Sequence, residues 1–131
     1  MDVATYCVET MFDVAHPGQK GIKHYIENCI KDNEQEILCR EYLTTYYRKY
    51  YPLPEGEQRT PENEQRYVEN ELPKFLDEVR RCMILNNFFS SLWPMKKFEE
   101  EKFGDPSVFY FDYALGRTEI HNYLVQKYFA K

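Results

Sequence analysis

Glycine is scarce, at 5 in 131 residues, and none of them falls in a G-x-G-x-x-G or Walker-type run. A loop that cradles nucleotide phosphates on its backbone is therefore missing from the sequence. H-E-x-x-H and G-x-S-x-G are missing too, which excludes a self-contained zinc-protease or serine-hydrolase centre. The histidines His16, His24 and His121 are too scattered for a triad or a metal site and read as surface or loop residues. Cys7, Cys29, Cys39 and Cys82 contain no C-x-x-C pair and sit among apolar or helical neighbours, so they read as buried free thiols. No apolar run approaches the roughly 18 residues needed to cross a bilayer. The N-terminal stretch carries Asp2 and Glu9 where a secretory leader carries basic residues, and a cytoplasmic location is the expectation.

A basic excess is also lacking. Lys and Arg number 17 against 22 Asp and Glu, for a net charge of -5 and a pI near 5.3, which opposes the attraction a phosphate backbone requires. Nucleic acid is excluded as an expected partner. The basic residues interleave with acids, as in Lys96-Lys97-Phe98-Glu99-Glu100-Glu101-Lys102, the pattern of a solvated helix face.

What the chain has is aromatic surface, 17% of residues with 12 Tyr and 9 Phe, inside a hydrophobic fraction of 43% that rules out a disordered chain. The length supports a single segment, 1–131, with one core that buries about two thirds of the unfolded surface. No stretch alternates long enough for a buried strand, and the expected fold is all-α. Val3, Tyr6, Cys7, Thr10, Met11 and Val14 recur at helical intervals, predicting a helix that ends before His16-Pro17-Gly18. A short helix is expected from Ile22 to Ile30. Asp32 with Gln35 signals a capping box for a longer one that runs to about Tyr51 and is stopped by Pro52 and Pro54. Thr60 followed by Pro61 is an N-cap and first-turn pair. Leu72-Pro73 predicts a kink or restart, and the apolar stretch beyond it reads as a buried helix broken at Pro94. The last helix is expected from Ser107 to Tyr128, after a Gly104-Asp105-Pro106 turn that lets Asn86–Trp93 and Phe109–Arg117 fold back on each other. Tyr42, Tyr46, Tyr47, Tyr50 and Tyr51, at helical spacing, read as core and rim.

The opening Asp2–Asp13, with its internal Glu9, resembles the helix that follows the metal-binding Asp-Phe-Glu motif in the choline/ethanolamine kinase family. Phe88-Phe89-Ser90-Ser91-Leu92-Trp93 resembles that family's His-Phe-x-Trp-x-Leu-Trp helix. Phe109-Tyr110-Phe111-Asp112-Tyr113-Ala114-Leu115-Gly116-Arg117 resembles its Phe-x-Tyr-x-Asp-Tyr-Ala-x-x-Arg segment. Order and spacing agree over nearly the whole chain. The resemblance implies the helical C-terminal part of a protein-kinase-like, aminoglycoside-phosphotransferase-like fold, the substrate side of an enzyme that phosphorylates choline or ethanolamine in phospholipid head-group synthesis.

In that family ATP and magnesium are held by a nucleotide lobe, a catalytic-loop Asp and Asn, and the Asp of Asp-Phe-Glu. None of those motifs occurs here, so Met1 is read as a start within a longer kinase and the chain alone is expected to be inactive, with no catalytic or metal-binding residue of its own. The expected substrate-binding residues are Glu9, Trp93 and Tyr113. Two aromatic faces beside a carboxylate suit an ammonium, at about 0.5–2 kcal/mol per ring. A lone Trp is more often a packing residue, and the resemblance is what makes Trp93 a substrate candidate. Asp112 and Arg117 read as a scaffold pair that pins the last helix. Thr10, Val14 and Ser90 stand where the resemblance puts the aromatics of choline-preferring relatives, and the thinner box leans towards ethanolamine or relaxed specificity. The competing readings are a non-catalytic helical interaction module and a degenerate relative that binds amino alcohols without phosphorylating them. Apolar surface left by a missing N-terminal portion would favour self-association.

Overall fold

The computed structural model describes residues 3–13, 23–100 and 107–130. Among them it is mostly helical, in the order α1 (Val3–Glu9), β1 (Phe12–Asp13), β2 (Lys23–His24), a 3-10 turn (Ile26–Asn28), α2 (Asp32–Lys49), α3 (Pro61–Glu100) and α4 (Ser107–Tyr128). The all-α expectation holds with one departure, the antiparallel pair of β1 and β2, which sets Phe12 opposite His24. No described helix is long and apolar enough to cross a membrane. The chain divides into two compact units, Met1–Ile30 with Arg80–Lys131, and Lys31–Val79.

The second of these is an α-helical hairpin. Gln35, Cys39, Leu43 and Tyr47 are buried at intervals of one helical turn along α2, and Val68, Leu72 and Val79 are buried along the first half of α3. Arg40 pairs with Glu69 at 2.7 Å and Arg48 with Glu64 at 2.6 Å, in antiparallel register. The start of α2 is one residue earlier than the Asp32/Gln35 signal implies, because it is Glu34 that accepts the backbone N–H of Lys31 at 3.0 Å. The start of α3 is as expected, with Thr60 Oγ1 accepting the backbone N–H of Asn63 at 3.2 Å. Between the helices, Glu57 donates its backbone N–H to the Pro54 carbonyl at 3.0 Å. Gly56 in this turn has φ 85°, the left-handed value that a type II turn needs.

Neither proline ends α3. Pro73 and Pro94 each remove one backbone hydrogen bond, yet the helix runs through both to Glu100. Pro94 is fully buried, so the core around it holds the turn that its ring disfavours. The N-terminal expectations need more correction. α1 stops at Glu9 instead of reaching Val14, which lies outside the described residues along with His16-Pro17-Gly18 and Gly104-Asp105-Pro106. Where a helix was expected over Ile22–Ile30 there is β2 and a single 3-10 turn. The cause is tertiary. β1 pairs with β2, the Tyr25 N–H donates to the Met11 carbonyl at 2.8 Å, and Met11 is sealed in the core.

Candidate functional site

Within the unit that holds both chain ends, the face of α3 turned inward is not the aromatic one. Met83, Asn87, Ser91 and Pro94, spaced by four, four and three, are buried, whereas Leu85, Phe88, Phe89, Leu92, Trp93 and Met95 are exposed. The expectation of a buried aromatic helix over residues 86–93 is thus corrected. Polar Asn87 faces inward because α4 delivers a cation to it. Arg117 is 3% exposed and lies under Phe12 and Tyr113, its guanidinium carbon 3.8 Å from the first ring centroid and 5.0 Å from the second. Its Nη2 donates to Glu9 Oε1 at 2.7 Å and to the Tyr113 hydroxyl at 2.7 Å, and Nη1 donates to Asn87 Oδ1 at 3.4 Å. Nε has no partner among the described residues.

The arrangement is a cation box: two aromatic rings, one of them offering its hydroxyl as an acceptor, with a carboxylate and an amide oxygen around one positive group. Its occupant is the chain's own guanidinium. Arg117 therefore ties α4 to α1, β1 and α3, and the scaffold role expected of it is found with a different partner, Glu9 in place of Asp112. Such a buried cation is tolerable because both of its terminal nitrogens meet acceptors, leaving only Nε without one among the described residues.

Of the residues singled out from sequence, Glu9 and Tyr113 come together on Arg117. Trp93 is placed elsewhere, 53% exposed, with its indole edge-on to Tyr110 at 5.5 Å between centroids. Tyr110 lies one turn before Tyr113 on α4, so the two aromatic clusters do fold back on each other, through a residue that motif reading passed over. The signal available for Tyr110 was its spacing of three from Tyr113, which sets both on one side of a helix. Next to it, Met95, Tyr110, Phe111, Ala114, Leu115 and Thr118 line a groove of about 350 Å³. The Ser90 hydroxyl is hydrogen-bonded to Asn86 Oδ1 at 3.3 Å, and Thr10 Oγ1 donates to the Cys7 carbonyl at 2.9 Å.

His24 is more than a loop residue. Its Nε2 lies 2.5 Å from Glu119 Oε2 on α4, and its ring covers Gly116 so closely that a Cβ there would sit 2.8 Å from Nδ1. Glycine at 116 is what lets β2 approach α4. His121 lies beside the Phe88 ring at 6.0 Å between centroids. Cys7 and Cys39 are buried thiols as expected, but Cys29 is half-buried and Cys82 exposed.

No three His, Cys, Asp or Glu side chains among the described residues are grouped to hold a metal ion. Comparison with known protein families, with characterised proteins and with solved structures finds no match to this chain.

Proposed function

We propose that this chain is the substrate side of an ATP-dependent choline/ethanolamine kinase, binding an amino alcohol whose hydroxyl is phosphorylated for phospholipid head-group synthesis. The three segments that carry the resemblance, at Asp2–Asp13, Phe88–Trp93 and Phe109–Arg117, belong to one compact unit. The observation that carries the reading is the convergence of Glu9 and Tyr113, from opposite ends of the chain, on a single cationic group.

Arg117 fills the inner side of this box, so a substrate ammonium would meet its outer side. The Glu9 side chain is 41% exposed, and a carboxylate offers about four lone-pair sites, of which Arg117 takes one. Trp93, edge-on to Tyr110 and apart from the Glu9 group, is kept as a candidate aromatic face for the ammonium by the resemblance. A primary ammonium gains from such acceptors, while a trimethylammonium depends on aromatic faces alone, which favours ethanolamine. Phosphate, metal and catalytic base would be held by other parts of the enzyme, because phosphoryl transfer is mostly the positioning of those groups.

A second reading, the helical interaction module, draws on the exposed apolar ridge of α3. The two are separated by the fluorescence of Trp93, the only indole in the chain. Under the kinase reading, ethanolamine and choline change its emission saturably and sodium chloride at equal ionic strength does not. An emission indifferent to both amino alcohols removes the kinase reading.

A further inference from the structure

We propose that the tyrosine cleft of the α2–α3 hairpin, within Lys31–Val79, binds an aliphatic polyamine. The cleft, of about 500 Å³, is lined by Tyr46, Tyr47, Tyr51 and Tyr67 together with Glu57, Glu71, Asn70 and one cation, Arg66, a size and mixture usual for a small-molecule site. It owes nothing to the amino-alcohol reading, which concerns the other unit.

Three observations point to a ligand and to its charge. The first is a buried group with nothing to bond. Tyr47 is 2% exposed, and among the described residues its hydroxyl has no partner. Leaving such a group unsatisfied costs about 1–3 kcal/mol, and because the hydroxyl itself has almost no accessible surface, a donor in the cleft relieves it by displacing a lining side chain. Asn70 adds an exposed amide oxygen on the same lining. Burial, and after it the Glu71 carboxylate, hold the Tyr67 phenol above its usual range, so it enters as a neutral hydroxyl able to accept.

The second observation is that the aromatic wall already accepts a cation. Tyr47, Tyr51 and Tyr67 pack with centroids 4.5 to 5.5 Å apart. The Arg59 guanidinium lies 5.4 Å from the Tyr47 centroid and donates to the carbonyls of Tyr47 and Tyr51. An alkylammonium meets the same ring chemistry from the cleft side.

The third is charge. From Lys31 to Val79 there are 12 acidic and 7 basic residues, a balance of -5 that equals the net charge of the whole chain. The remaining residues are balanced. A field of one sign concentrated on the unit that carries the cleft raises the local concentration of polycations. At the lining itself, Glu57 is 3.7 Å from Arg66 and Glu71 is 3.6 Å from Lys74. Pairs this long and this exposed stabilise little, and both carboxylates can turn to incoming ammonium groups. A ligand with amines separated by methylenes answers both features, its N–H groups for the carboxylates and the Tyr47 hydroxyl and its carbon chain for the rings.

Isothermal titration of the full chain with spermidine, with triethylene glycol as an uncharged control, tests the assignment. The expected result is saturable binding of spermidine at one site and none of the glycol. Tyr47→Phe and Glu71→Gln should each weaken it about tenfold, the effect of losing one hydrogen bond to a charged donor, while Trp93→Ala leaves it unchanged. Tyr47→Phe removes only an unpartnered hydroxyl and keeps the fold, and Asn70→Ala, at an exposed position, is the second variant expected to weaken binding. Absence of binding overturns the proposal. So does binding that neither Tyr47→Phe nor Asn70→Ala alters, which would mean attraction to net charge alone, or binding lost in Trp93→Ala, which would place the polyamine in the other unit.

Discussion

Glu9 Oε1 accepts a 2.7 Å hydrogen bond from Nη2 of Arg117, a residue 108 positions further along the chain. This pair closes the unit that contains both chain ends, and it explains why an arginine can be almost fully buried under two aromatic rings. Removing one partner of such a pair is costlier than replacing both, since the charge left behind has lost its compensation.

Arg117→Ala is accordingly expected to destabilise the chain by about 3–5 kcal/mol, and Glu9→Gln, at a half-exposed position that keeps an acceptor, by about 1–2 kcal/mol. Urea unfolding curves measure both. Equal and small losses would mean that the ion pair adds nothing to the aromatic packing around it.

Gly116→Ala should destabilise although it improves helix propensity by about 1 kcal/mol, because the new Cβ meets His24 at 2.8 Å. In a His24→Ala background the same substitution should stabilise. A double-mutant cycle reads the coupling, and additivity would show that the His24 ring swings aside at no cost.

Acid weakens the α2–α3 hairpin through two carboxylates. Hydrogen bonds from Arg48 and Arg40 hold Glu64 and Glu69 below the ordinary value of 4.5. A carboxyl held low in the folded state contributes stability that is present above its unfolded pKa and is lost as the pH falls through the folded one. The urea midpoint should therefore be steady with respect to these groups above about pH 5 and decline below it. The decline should be shallower in Arg40→Gln/Arg48→Gln, and identical slopes would contradict the assignment.

The exposed ridge of α3, where Phe89 is 62% exposed and Met95 52%, should make the chain self-associate. On α4, Phe111 and Leu115 are exposed as well, whereas Ala4, Cys7 and Val8 of α1 are buried. Light scattering over a concentration series should show a rising mass, abolished by Leu85→Ser/Phe89→Ser. A strictly monomeric chain with a concentration-independent melting temperature would count against it.

How far the sequence carried these features depends on where each is encoded. The bounds of α4 and the start of α3 were readable because Thr60-Pro61 and the apolar spacing after Ser107 are local signals. The passage of α3 through Pro73 and Pro94 was not, because nothing local reports the packing that offsets a missing hydrogen bond. The apolar run over residues 86–93 read as a buried helix, yet the buried side proved to be that of Asn87 and Ser91. That side meets Arg117, thirty positions beyond Asn87, a partner that no local pattern reports. For the same reason Glu9 and Tyr113 were found together while Trp93 turned to Tyr110. The motif named the residue types of a cation box, and the guanidinium that the fold places inside it decided which of them could close around it.

The measurement that tests the central claim most directly is isothermal titration of ethanolamine and choline into the chain and into Trp93→Ala and Glu9→Gln. Saturable binding is expected, stronger for ethanolamine, weakened about 2- to 30-fold by Trp93→Ala, the range of one cation–aromatic contact, weakened also by Glu9→Gln, and untouched by Tyr42→Ala in the other unit. Amino alcohols that do not bind, or that bind the Trp93 and Glu9 variants as tightly as the parent chain, would contradict it.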